Sequence, residues 1–121
     1  MQREMFVTPL PALRWVDKQV VQQWGTWRDA VLWCWKNRES GEGSEQGDQQ
    51  MFRFYALKFF DVKAHAPHIS RWVNQETDAP MDLPNKFVPA FESFTGWRGL
   101  TQYFNRSAKA TILEELQARA A

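Results

Sequence analysis

Cysteine is almost missing from this sequence: Cys34 stands alone, so no intrachain disulfide can form and a reducing, cytoplasmic setting is expected. One-sided charge is missing as well. Lys and Arg total 15 against 14 for Asp and Glu, a formal +1, which excludes a polybasic nucleic-acid arm and an acidic mimic of nucleic acid. No apolar run approaches the roughly 20 residues that span a bilayer, so no membrane partner is expected. The opening MQREMFVTPLP has no long apolar core of the kind a secretory signal needs. Phosphate-cradling glycine loops are absent too, because Gly41, Gly43 and Gly47 lie in an acidic stretch with no Lys-Ser pair after them. His65 and His68 have neither a cysteine nor a set of carboxylates at ligand spacing, so no metal site is expected, and no cofactor. Cys34, between Trp33 and Trp35 and without a histidine partner, reads as a small core residue. With no nucleophile–base pairing in view, the expectation is a protein that is not an enzyme.

What the sequence does have is apolar and aromatic mass. Hydrophobic residues are 44% of 121, enough for one domain with a core of its own. Aromatics reach 15%, with 7 Trp and 9 Phe, more rings than a chain this small readily sequesters, so some are expected at the surface or an interface. Residues 39–50, ESGEGSEQGDQQ, carry Glu39, Glu42, Glu45 and Asp48 without a cation and read as a flexible acidic loop.

Around that loop the apolar period is helical. Leu13, Val16, Val20 and Trp24 predict a helix over 11–24 within an N-terminal helix or arm, 1–25. Thr26 and Asp29 form a capping-box pattern ahead of Trp27, Ala30, Val31, Cys34 and Trp35. That second helix is apolar nearly all round, which implies burial on more than one side. Asp48 is placed to cap a third helix whose stripe is Phe52, Tyr55, Ala56, Phe59 and Phe60. Pro67 suits the first turn of a short helix over 66–74, with Ile69, Trp72 and Val73 inward. After the connector 77–84, a helix over 85–95 is bent or begun by Pro89 and stopped by Gly96. Leu100, Phe104, Ala108, Ile112 and Leu116 then predict a final helix. No segment alternates with period two. The fold class is all-α: a compact domain of about five to six helices with an added N-terminal helix.

The segments Ala56-Leu57-Lys58-Phe59 and His65-Ala66-Pro67-His68-Ile69-Ser70-Arg71-Trp72, the second short, polar-faced and followed by Asn74, resemble a support helix and a reading helix. The pattern is similar to the Cro/CI-like, lambda-repressor-like helix-turn-helix proteins of phages and plasmids. The resemblance covers about residues 27–120, with the helix-turn-helix itself in 51–75 and C-terminal helices in 76–121. It implies that Ile69 and Trp72 pack inward. Aligned without a gap from Ile69, Phe59 falls where the family has a small residue and Lys63 where it prefers glycine. Placing Ala56 at the small-residue site instead adds Asp61-Val62-Lys63 to the turn.

Local charge agrees with a DNA partner. Residues 51–75 hold four cations (Arg53, Lys58, Lys63, Arg71) against Asp61, a net +3, while 76–92 hold Glu76, Asp78, Asp82 and Glu92 against Lys86, a net −3. The expected function is a sequence-specific, duplex DNA-binding transcriptional regulator, a repressor or activator working as a homodimer. Arg71 is the expected base reader, with His65, His68, Ser70, Asn74 and Gln75 beside it and Lys58 and Lys63 toward the phosphates. Its dimer face is expected from the C-terminal helix or from the Trp-rich helix 27–36. The alternative is a non-enzymatic protein-interaction module, such as a phage-type inhibitor, that uses an exposed Trp-rich helical surface.

Overall fold

Six α-helices follow one another in the computed structural model, which describes residues 13–120, without the side chains of 109–115 and 118–120. They are α1 (Lys18–Gln23), α2 (Trp27–Lys36), α3 (Glu45–Phe60), α4 (Ala66–Val73), α5 (Val88–Thr95) and α6 (Gly99–Ala120), with a 3₁₀ turn at Asn85–Phe87. Among the described residues there is no β-strand, and the all-α class holds.

α2 sits at the centre, against α4, α5 and α6, because its apolar residues leave little of its surface polar. The capping box forms as the sequence implies: the Asp29 amide donates to Thr26 Oγ1 at 3.1 Å and the Thr26 amide to the Asp29 carboxylate at 3.2 Å. Ala30, Val31, Cys34 and Trp35 are buried from this helix. Trp35 lies nearly parallel to Phe91 and Phe94 of α5, and Phe52 of α3 meets both of those rings edge-on. Fully burying such a side chain contributes about 1.5–3 kcal/mol, so this four-ring cluster is the main adhesive between α2, α3 and α5. Pro89 sits in the first turn of α5, and Gly96 closes that helix at φ 85°, a conformation that favours glycine.

Four expectations are corrected. The helix over 11–24 is only α1: Pro11 lies outside the described residues, and Leu13–Asp17 run extended along the α5–α6 junction. There the Arg14 amide donates to the Gly96 carbonyl at 2.9 Å, and the Arg98 amide to the Arg14 carbonyl at 2.9 Å. Val16 is held by the Gln102 amide group in both directions. Asp17 then starts α1 by accepting from the Gln19 amide.

The third helix starts earlier than Asp48, with Ser44 as its cap, so 45–50 are helix rather than loop. Asp48 is 1% exposed. Its carboxylate accepts from the Glu42 and Gly43 amides and pairs with Arg38 at 2.7 Å, fastening the acidic segment to the end of α2. Burial acts to raise this carboxyl, but the Glu42 amide, Arg38 and the Gly43 amide outweigh it and hold it below the ordinary carboxylate value. Gly41, at φ 100°, lies so close that a Cβ there would meet the carboxylate.

The Trp-rich helix is not an exposed face either. Trp24, Trp35 and Trp72 are buried, and Trp33 is half-buried between Trp24 and Trp97. Finally, the expected helix over 85–95 is a 3₁₀ turn followed by α5.

Candidate nucleic-acid interface

α4 packs on the body through Ile69, Trp72 and Val73, all buried. Trp72 contacts Phe87 of the 3₁₀ turn at a ring separation of 4.9 Å. Its Nε1 is buried without an acceptor, a cost of order 1–3 kcal/mol carried beneath this helix. The chain reaches α4 from α3 through Asp61–His65. Asp61 takes the left-handed conformation (φ 53°, ψ 38°), its amide donating to the Leu57 carbonyl and the Val62 amide to the Ala56 carbonyl. The turn is thus made at Asp61 rather than at Lys63. Ala56 is fully buried whereas Phe59 is only half-buried.

The C-terminal end of α4 is held by a residue that sequence reasoning missed. Arg28 of α2 sends Nη1 to the Arg71 carbonyl and Nη2 to the Asn74 carbonyl, both at 2.9 Å, with Met81 and Trp72 carbonyls at 3.4 and 3.5 Å. A guanidinium there satisfies the orphan carbonyls at the helix end and opposes the negative end of its dipole. It also ties down the connector, whose Met81 amide donates to the Arg71 carbonyl. No local pattern signals this, since Arg28 is 43 residues from Arg71 in sequence.

The proposed reading residues divide into two groups. His65 and Arg71 are exposed, Ser70 is half-buried, and His68 is half-buried with its ring 4.8 Å from that of His65 and 6.5 Å from that of Trp72. Lys58 in the last turn of α3 and Lys63 in the turn are exposed. Asn74 and Gln75 stand apart. The Asn74 Oδ1 accepts from the Glu76 amide at 3.0 Å in a local turn, and Gln75 lines a cleft of about 540 Å³ with Leu32, Trp33 and Lys36 of α2. Arg53, counted in the positive stretch, donates to the Ala64 carbonyl. Lys86, the one cation of the acidic stretch 76–92, is exposed on the 3₁₀ turn that abuts Trp72.

Partner assignments sort the arginines. Arg14 pairs with Glu39, Arg38 with Asp48, and Arg28, Arg53 and Arg106 donate to backbone carbonyls. Among the described residues Arg71 reaches only the Met81 sulfur, at 3.9 Å, while Arg98 lies over the Trp15 ring with its charge near Glu92. Among the described residues no group of three or more His, Cys, Asp or Glu is placed to hold a metal ion, and no helix is long and apolar enough to cross a membrane. Cys34 is buried, and burial, with the nearby Glu92 charge, pushes its thiol up to about 12. Comparison of this chain with protein-family models, with curated proteins and with solved structures finds no match to any of them.

Proposed function

We propose that this chain is a non-enzymatic, sequence-reading duplex DNA-binding regulator of transcription, of the Cro/CI-like kind, which acts as a homodimer and offers α4 to the major groove. The observation that carries the reading is Arg71: a guanidinium on the outward side of a helix buttressed from behind, with no oxygen acceptor among the described residues. A free guanidinium fork is the commonest reader of guanine O6 and N7. Lys58 and Lys63 are exposed, make no ion pair among the described residues, and suit phosphate contact. Glu76, Asp78 and Asp82 gather on the connector at the C-terminal end of α4 and repel phosphates there. The N-terminal half, His65 to His68, therefore leads into the groove, as reading helices commonly do, with Arg71 following in the last turn. Asn74 and Gln75 drop out of the base-reading set.

The test is selection of preferred sites from a random duplex library, followed by binding of the recovered site. The wild type should recover one motif, and Arg71→Ala should cost about 1–3 kcal/mol and relax preference at one base pair. Unchanged affinity and unchanged site preference in Arg71→Ala would remove α4 as the reader.

A second reading, a protein-binding module, draws on a different observation. Phe54 and Leu57, three residues apart on the outer side of α3, are 64% and 46% exposed. Phe54→Asp should then abolish partner capture without altering DNA binding.

A further inference from the structure

Two cavities of about 360 Å³ each adjoin between α5 and α6 and share Val88, Pro89 and Thr101, so they form one groove. Leu13 and Phe60 line one end, and Trp27 and Phe104 line the other. Leu13, Phe60, Trp27 and Val88 are half-buried and Phe104 is 63% exposed, which leaves an apolar strip along the groove. Most of the polar groups in the lining are already spent. The Thr101 amide and hydroxyl donate to the Glu92 carboxylate, Ser93 shares a hydrogen bond with Tyr55, and Trp27 Nε1 donates to the Leu83 carbonyl. Among the described residues of this lining only Asn85, at the Phe104 end, keeps an unbonded polar side chain. The groove therefore calls for apolar side chains along most of its length, with one amide able to meet a backbone at the far rim.

We propose that residues 1–12 of this chain occupy the groove as an extended strap, with Leu10 beside Phe60 and Val88 and with Phe6 between Trp27 and Phe104. Three features select this occupant. The first is place. Leu13 itself lines the groove, and the bonds of Arg14 to Gly96 and Arg98 and of Val16 to Gln102 fix where it sits. The twelve residues before it therefore issue from the groove's own end. Extended, they reach about 40 Å, enough to run past both cavities. The second feature is composition: MQREMFVTPLPA carries Met5, Phe6, Val7 and Leu10, apolar side chains that suit an apolar lining. The third is backbone. Pro9 and Pro11 disfavour helix in the residues before them and bring no N–H, so the segment buries two fewer donors that such a groove could not satisfy. Tethering strengthens all three, because an occupant joined to the groove is present at an effective concentration of order mM. The strap ties the start of this sequence to the 3₁₀ turn whose Phe87 supports Trp72 beneath α4. The proposal goes beyond the DNA reading and does not depend on it.

The experiment uses the full chain without nucleic acid and reads proximity by disulfide formation. One variant joins Val7→Cys with Asn85→Cys, at the far end of the groove. The other joins Val7→Cys with Glu39→Cys, which lies against Arg14, off the groove and within easy reach of an undocked segment. Cys34 is buried and stays silent. Under mild oxidation of dilute protein, the Asn85 pair should close within one chain at least about tenfold faster than the Glu39 pair. Adding Phe6→Asp and Leu10→Asp should abolish that preference with helicity unchanged, and should raise the binding of an apolar fluorescent dye to the uncovered groove. Equal rates for the two pairs, faster closure at Glu39, or a preference that survives the two Asp substitutions overturns the proposal. Dye binding that the Asp substitutions leave unchanged does so too. A disulfide between chains also overturns it, since a second copy's segment would then fill the groove.

Discussion

Replacing Arg28 with alanine tests how α4 is held in place. The side chain makes two short bonds, to the Arg71 and Asn74 carbonyls, and two longer ones to Met81 and Trp72. A hydrogen bond from a charged donor contributes about 1.5–3 kcal/mol net. A cation at a helix C-terminus adds about 0.3–1 kcal/mol. Arg28 is half-buried, so water replaces part of what is lost, and the two longer contacts count for little. The expected loss is therefore about 2–3 kcal/mol for Arg28→Ala. For Arg28→Lys it is about 1 kcal/mol or more, because an ammonium cannot fork to both carbonyls. Urea unfolding, read as a shift of midpoint at constant slope, measures it. DNA affinity should fall beyond the stability loss, since α4 and the connector lose their common anchor. A destabilisation below about 0.5 kcal/mol with unchanged affinity would refute the reasoning, and would mean that Trp72 and Ile69 alone position the helix.

Two buried carboxyls should give opposite pH signatures. Asp48 is held below its ordinary value, so its stabilisation is present above the unfolded-state pKa near 3.8 and is lost as pH falls through the folded value. Asp48→Ala leaves Arg38 with only the Glu45 carboxylate at 3.8 Å and the Trp35 carbonyl, and should cost about 3 kcal/mol at neutral pH, the low end for a broken buried pair, with the gap to wild type narrowing toward acid. Equal gaps at neutral and acid pH in denaturant titrations would count against it. Glu92 is raised, chiefly by burial, against the Thr101 bonds and the Arg98 charge. Its folded form holds the proton more tightly, so stability falls as pH rises from the unfolded toward the folded value. Glu92→Gln should therefore gain on wild type as pH rises through that window. Parallel curves for the two proteins would contradict the assignment.

Much of the fold was legible in local chemistry. Thr26 and Asp29 marked the start of α2, Pro67 and Pro89 marked first turns, Gly96 marked a stop, and the stripes of α2, α3 and α4 gave the core. What failed were features fixed by distant partners. Leu13 and Val16 keep helical spacing, but Val16 bonds to Gln102, 86 residues on, and the segment lies extended. Asp48 reads as a solvated acid because its neighbours are acidic, and only Arg38 and two loop amides make its burial possible. The surplus of rings does leave Trp15, Phe54 and Phe104 exposed, but no sequence pattern shows that Trp33 fits between Trp24 and Trp97 or that Trp35 lies along Phe91 and Phe94. On the candidate interface, the short polar-faced helix and Arg71 were legible. Its anchor Arg28 was not, nor was the withdrawal of Asn74 into a local turn.

The central claim is that α4 meets duplex DNA through Arg71 with Lys58 and Lys63 on the phosphates. Fluorescence anisotropy of the recovered site against a scrambled duplex, repeated across a series of salt concentrations, tests it most directly. The account predicts preference for the site, affinity that falls linearly in log–log form with salt, and a slope reduced by about 1 for each of Lys58→Ala and Lys63→Ala. Absence of binding to either duplex by the folded wild type, at low salt, would contradict it.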